Sequence, residues 1–279
     1  MAGPAFHEDP RFQGASLGYA PGTAPWMQAA TVETDPVTAV ARARGTGAEV
    51  LKLYAMMEAP VVAALTAEAH RQGMRVVAHG TVFPARPSEL VAAGVDVLTH
   101  AAYLSWEGAS VIRDVDSWDR KKGPYATVPP DGPEITAVLE AMARSGTALE
   151  PTLWVFQQGE DADPTLVAWS EAVTRRARDL GVTLVAGTDG LIGQGRRDLP
   201  NIHGEMAALV KAGLTPAQAL AAATVVPARV MGRAGTHGAV APGQVADLVL
   251  LTADPLADIQ ATREIRWVLR KGHLVDVGR

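Results

Sequence analysis

Four residues of types that bind metals or move protons stand at or just beyond the ends of apolar runs. Lys52 lies within Val-Leu-Lys-Leu-Tyr, His79 closes Val-Val-Ala-His, His100 closes Val-Leu-Thr-His, and Asp189 follows Leu-Val-Ala-Gly-Thr. Imidazole nitrogens and carboxylate oxygens are ordinary ligands of divalent cations, and a carboxylate also carries protons. There is no cysteine, which removes disulfides, thiolate ligands and a cysteine nucleophile together. Any metal must therefore sit on His, Asp, Glu or a modified Lys. Each residue taken singly has a plainer reading: a His after a strand is commonly a hydrogen-bonded structural residue, and Asp in Gly-Thr-Asp-Gly is commonly a turn former or helix cap. Lys52 is harder to dismiss, because an ammonium within an apolar strand is costly to bury without a partner. Placement of all four at strand ends is what lifts them above those readings.

The elements that would position them alternate. Strands are predicted at Val50–Tyr54, Arg75–His79, Val95–His100, Thr147–Leu153 and Thr183–Gly187, and helices at Val37–Arg44, Val61–Gln72, Pro87–Ala93, Glu134–Ser145 and Pro164–Asp179. Glycines at 73, 94, 146 and 181 follow helical segments in the manner of C-caps. Such alternation argues for parallel βα units, and polar residues gathered at strand ends favour a (β/α) barrel, whose active sites lie on that face. Beyond Asp189 two helices are predicted, Ile202–Gly213 and Thr215–Ala223, then strands Ala246–Leu251, Ile265–Arg270 and Leu274–Val277. The expected division is a partial barrel over residues 1–236 and a small β-sheet over 237–279. Gly108–Gly132, with Trp118 and many charges, reads as a long insertion or lid.

The 279 residues suffice for a sizeable core, and a composition of 48% hydrophobic and 20% charged residues is that of an ordinary globular protein. A formal charge of -5 leaves no basic stripe for nucleic acid or anionic lipid. No apolar run reaches the ~18–20 residues that cross a bilayer. With no secretory signal in Met-Ala-Gly-Pro-Ala-Phe-His, a cytoplasmic location is the default expectation.

The order Lys52, His79, His100, Asp189 resembles the amidohydrolase superfamily, in particular its imidazolonepropionase-like and Xaa-Pro dipeptidase-like branch. The tail agrees. Asn201-Ile-His-Gly-Glu-Met through Leu-Ala-Ala-Ala-Thr224 resembles the helix pair after that family's last barrel strand, and Gly238 through Leu251 resembles its return into a small β-sandwich. The resemblance implies that Lys52, in places N-carboxylated in the family, bridges two metals, that His79 and His100 bind one of them, and that Asp189 binds the other and shuttles protons. It departs at the start: no His-x-His motif is present, the segment around His7 resembles the family's third-strand loop, and the first two barrel strands are missing. The expected fold is thus an incomplete TIM-type barrel with a remnant of the sandwich.

What this implies for activity is a metal-dependent hydrolase of amide or ester bonds, in which metal-activated hydroxide attacks a carbonyl and Asp189 passes the proton on. Peptide-like, cyclic amide or promiscuous ester and phosphotriester substrates are the expected classes, and one or two divalent ions, zinc first among them, the expected cofactor. A remnant that folds and assembles without turnover is the competing reading. Tyr54, Tyr103 and Trp106 are candidates for lining a substrate pocket. His203 and Glu205 are candidates for supporting the site, with His203 also placed to meet substrate, and Arg196 and Arg197 could meet a substrate carboxylate. His70, His237 and His273 read as structural or solvent-facing. Open strand edges left by missing strands pair with other chains, so a homodimer or larger homo-oligomer is expected, with residues 1–34 covering part of the gap. A clean monomer in light scattering at micromolar concentration would count against that assembly.

Overall fold

The alternation of apolar runs and Ala-rich segments is realised as parallel α/β structure. A computed structural model describes residues 1–158, 162–190 and 200–275. The chain falls into two units, one formed by Met1–Leu149 with Leu180–Val182, the other by Glu150–Asp179 with Thr183–Arg279. No helix among the described residues is long and apolar enough to cross a membrane.

The first unit opens with two short helices, α1 (Pro4–Glu8) and α2 (Pro10–Gln13), and a minimal hairpin of β1 (Thr23–Ala24) and β2 (Met27–Gln28). Then come α3 (Pro36–Gly45), β3 (Val50–Leu53), α4 (Ala59–Arg71), β4 (Arg75–His79), α5 (Pro87–Ala92), β5 (Val97–Thr99), α6 (Pro133–Ser145) and β6 (Ala148–Glu150). The four strands lie side by side in sequence order. β3 pairs parallel with β4, setting Lys52 opposite Val77, and β4 pairs parallel with β5, setting His79 opposite Thr99. Leu51, Leu53, Val76, Ala78 and Leu98 are buried from the sheet, as are Val62 and Leu65 of α4 and Ile135, Leu139 and Met142 of α6. Local chemistry agrees with the packing. Asp35 caps α3 by accepting from the amides of Val37 and Thr38, with Pro36 next in line, and Gly146, at φ +81°, ends α6 in the left-handed conformation.

At the N-terminal ends of the strands, Asp96 accepts from the Val76 amide at 2.7 Å, Arg75 Nη1 at 2.7 Å and His70 Nε2 at 2.8 Å. His70 thus has a bracing partner there. At the outer edge of β3, the Met1 amine donates to the Lys52 carbonyl, Tyr54 N–H donates to the Met1 carbonyl, and Gly3 N–H donates to the Ala55 carbonyl. The first residues therefore run along that edge of β3.

The second unit contains α7 (Leu153–Phe156), α8 (Pro164–Asp179), α9 (Ile202–Lys211), α10 (Pro216–Ala222) and α11 (Val225–Val230). It closes with an antiparallel sheet of β7 (Leu248–Leu251), β8 (Ile265–Arg270) and β9 (His273–Val275). Two expectations are corrected here. Thr183–Gly187 does not form a strand: Leu184 alone makes a bridge, and the Ala186 amide is spent on the Ala222 carbonyl instead of a ladder. The strand expected to run to Leu153 stops at Glu150, because Thr152 turns into the left-handed region at φ +53° and α7 begins. The Gly108–Gly132 stretch holds a 3-10 helix at Asp114–Asp119 whose Trp118 packs against Phe6 and Phe12.

Candidate metal and substrate site

β4 and β5 end side by side, and each delivers a histidine. His79 and His100 are both buried, with ring centroids 4.6 Å apart in an edge-on arrangement. His100 sits at φ +69°, a conformation non-glycine residues seldom adopt and one that recurs at functional sites. Gly80 makes the approach possible: a Cβ there would lie 3.1 Å from the His100 carbonyl oxygen and 3.2 Å from that of Thr99. Lys52 reaches the same place from β3, its Nζ donating to Thr99 Oγ1 at 2.8 Å, while Thr99 Oγ1 in turn donates to the Ala78 carbonyl. The compensation that a strand-borne ammonium requires thus comes in part from a threonine on β5, which sequence reasoning did not single out.

Two tyrosines complete this cluster. The Tyr54 ring lies 4.2 Å from that of His79, and the Tyr103 ring lies 5.0 Å from His100 and 5.8 Å from His79. Arg120 closes over them, its guanidinium carbon 5.4 Å from the Tyr54 ring centre and its Nη2 donating to the Tyr54 hydroxyl at 3.1 Å. Trp106 is engaged otherwise, packing edge-on against Phe83 and donating to the Arg120 carbonyl. The structure therefore brings Lys52, Tyr54, His79, His100 and Tyr103 together in one unit and adds Arg120. Its only sequence signal was a charged stretch.

Burial, followed by the ammonium of Lys52, holds the pKa of both imidazoles well below the ordinary histidine value. Both rings are neutral at pH 7, the form that offers a lone pair to a cation. His79 Nδ1 is buried and has no hydrogen-bond partner, an exception that usually has a reason. Two neutral imidazoles with an orphaned nitrogen fit a divalent cation. Among the described residues no group of three or more His, Asp or Glu side chains is arranged to hold one.

Asp189 and His203 belong to the second unit. Asp189 is at φ +46°, just past Gly187, where a side chain would collide with the Glu150 carboxylate. His203 is buried on α9 with Nδ1 3.1 Å from Thr262 Oγ1, and burial lowers its pKa. Glu205, two residues on, is fully buried and accepts from the amides of Leu153 at 3.1 Å and Trp154 at 2.7 Å. Burial pushes its pKa up to about 7. Glu205 thus satisfies the first amides of α7, and Gly204 between the two leaves room for the Trp154 indole, which a Cβ would strike at 2.1 Å. Arg196 and Arg197 lie outside the described residues.

A parallel α/β unit that ends successive strands on histidines presents them on the face where active sites of (β/α) barrels lie. The chain belongs to the amidohydrolase family, whose pattern matches residues 26–275. No curated protein matches it. Among solved structures it is similar to a Xaa-Pro dipeptidase with bound methionine in the active site (19% identity, TM-score 0.67, 97% of this chain and 64% of that one). It is similar also to a putative prolidase from Bifidobacterium longum (27% identity, TM-score 0.61, 86% and 58%) and to A. niger ochratoxinase (21% identity, TM-score 0.67, 92% and 58%). The chain therefore spans about 58–64% of the length of these structures, and the α/β fold matches the TIM-barrel amidohydrolases over that part.

Proposed function

We propose that this chain is a metal-dependent hydrolase of amide or ester bonds whose site is built on (β/α)-barrel strands. The observation that carries the reading is the pair of buried, neutral imidazoles 4.6 Å apart beside Lys52, with His79 Nδ1 lacking a partner. His79 and His100 would hold the cation, with Lys52 as a third ligand in N-carboxylated form. Carboxylation replaces an ammonium, which repels a cation, by an anion, which attracts one. When bound, a divalent cation supplies Lewis acidity that polarises a carbonyl and lowers the pKa of water. Tyr54 and Tyr103 flank the histidines and wall the reacting group from solvent, and the Arg120 contact fixes the Tyr54 hydroxyl. The family's order of residues gives proton transfer to Asp189. Peptide-like amides are the first substrates to try, since two of the similar structures are named as a dipeptidase and a putative prolidase.

Metal content of the purified protein, by elemental mass spectrometry, is the deciding measurement. About one equivalent of zinc or a similar ion per chain is expected. Asp189→Asn should then lower turnover of a dipeptide or ester by about 10²–10⁴-fold, the usual worth of a general acid–base group, and leave bound metal unchanged. Absence of metal after incubation with excess ion would instead favour a family member that folds without turnover. Undiminished turnover in Asp189→Asn would remove that residue's assignment.

A further inference from the structure

Arg120 has a second face. It lines a cavity of about 310 Å³ in the first unit together with three other cations, Arg11, Lys121 and Lys122, one carboxylate, Asp119, and the apolar walls of Phe12 and Trp118. Two carboxylates answer part of this charge: Asp9 pairs with Arg11 at 2.8 Å, and Asp119 pairs with Lys122 at 3.0 Å where both are exposed. Arg120 has no carboxylate partner among the described residues. Its Nη1 donates to the Ser117 carbonyl, its Nη2 to the Tyr54 hydroxyl, and its Nε is buried with no partner. A partly buried guanidinium held only by neutral acceptors is a poor end state for a charge and a good receptor for an anion. The apolar walls are equally specific: Trp118 is already stacked at 5.5 Å on Phe6, so its position is fixed before any ligand arrives. The cavity volume lies at the lower end of the range for small-molecule pockets.

We propose that this cavity is a subsite for a small organic anion, a carboxylate carried on a flat apolar body, and that Arg120 joins it to the Tyr54–His79–His100 cluster. As a statement about substrates it rests on the hydrolase reading above, and it selects amides or esters that carry such a carboxylate. As a statement about binding it stands alone. Arg120 and Lys121 grip the anion while Phe12 and Trp118 cover its ring. Arg120 then transmits occupancy to Tyr54 through a hydrogen bond already in place.

The test is calorimetric titration of the intact protein with benzoate and with benzamide, its neutral counterpart, at low salt. Benzoate should bind about tenfold more tightly than benzamide, and added salt should weaken benzoate alone. Lys121→Gln/Lys122→Gln, whose side chains are surface-borne, should weaken benzoate by about five- to tenfold, and Arg120→Gln should weaken it further. Equal affinity for the two probes, or benzoate binding unchanged in the double lysine variant, overturns the proposal even if Arg120→Gln fails to fold. A protein that hydrolyses nothing but discriminates the probes in this way loses the hydrolase reading and keeps the subsite.

Discussion

His79→Ala and His100→Ala are each expected to weaken zinc binding by more than ~100-fold. Loss of a group that merely orients a ligand costs 10–100-fold, and these residues are the proposed ligands themselves. The effect is readable without any substrate. A cation that binds only the folded chain stabilises it by about 2.7 kcal/mol when present at a hundred times its Kd, and that increment should vanish in both variants. His70→Ala is the control, because its imidazole is committed to Asp96 at the other end of the strands. The variants also lose packing against Tyr54 and Tyr103, so each should be less stable without metal by about 1–3 kcal/mol. What distinguishes the two roles is the zinc-dependent increment. Were it to survive in both variants, the cation would be bound elsewhere.

The second large effect belongs to Glu205. Its folded pKa of about 7 lies above the 4.5 of an unfolded chain, so the native state keeps this proton when the unfolded state has lost it. Stability from this group is therefore fully present below about pH 4.5 and is lost as pH rises toward 7, a decline of about 3 kcal/mol. His79 and His100 work in the opposite sense, because their folded pKa values are depressed and their burial becomes less costly as unfolded histidines lose their protons. Subtracting the profile of Glu205→Gln from that of the native chain isolates the carboxyl. Urea denaturation at pH 5 and pH 8 should show the native chain losing more stability across the interval than the variant. Identical slopes would mean that the carboxyl ionises in the fold as it does in water. Glu205→Ala should cost about 2–4 kcal/mol near pH 5, because the amides of Leu153 and Trp154 would be buried without an acceptor.

The sequence announced the parts of the fold that local chemistry decides. Arg75–His79 is a strand with the predicted bounds because two valines, an alanine and a polar terminus fit a buried parallel strand, and Pro164–Asp179 is helical as predicted. Helix ends at Gly73, Gly94, Gly146 and Gly181 were legible because each adopts positive φ. Thr183–Gly187 has the same apolar look as β4 yet is no strand, since a ladder depends on a neighbour that the segment's own composition does not reveal. The histidines and Lys52 could be named from their strand-end positions. Thr99 and Arg120 could not, because a threonine inside an apolar run and an arginine in a charged stretch acquire meaning only from what folding places beside them. Glu205 could be singled out by its place after the last predicted barrel strand, but its full burial and its hold on the first amides of α7 were not legible.

The approach of β4 to β5 at Gly80 bears on how this site can be altered. The atoms a side chain would meet there are chiefly backbone carbonyl oxygens, which cannot swing aside as the tip of a long side chain can. One absent methyl group thus acts as a spacer gauge, setting the bite of the histidine pair. If the pair holds a cation as proposed, variation at position 80 would change the distance between the two rings without changing either one, a mechanical handle on which ionic radius they would prefer.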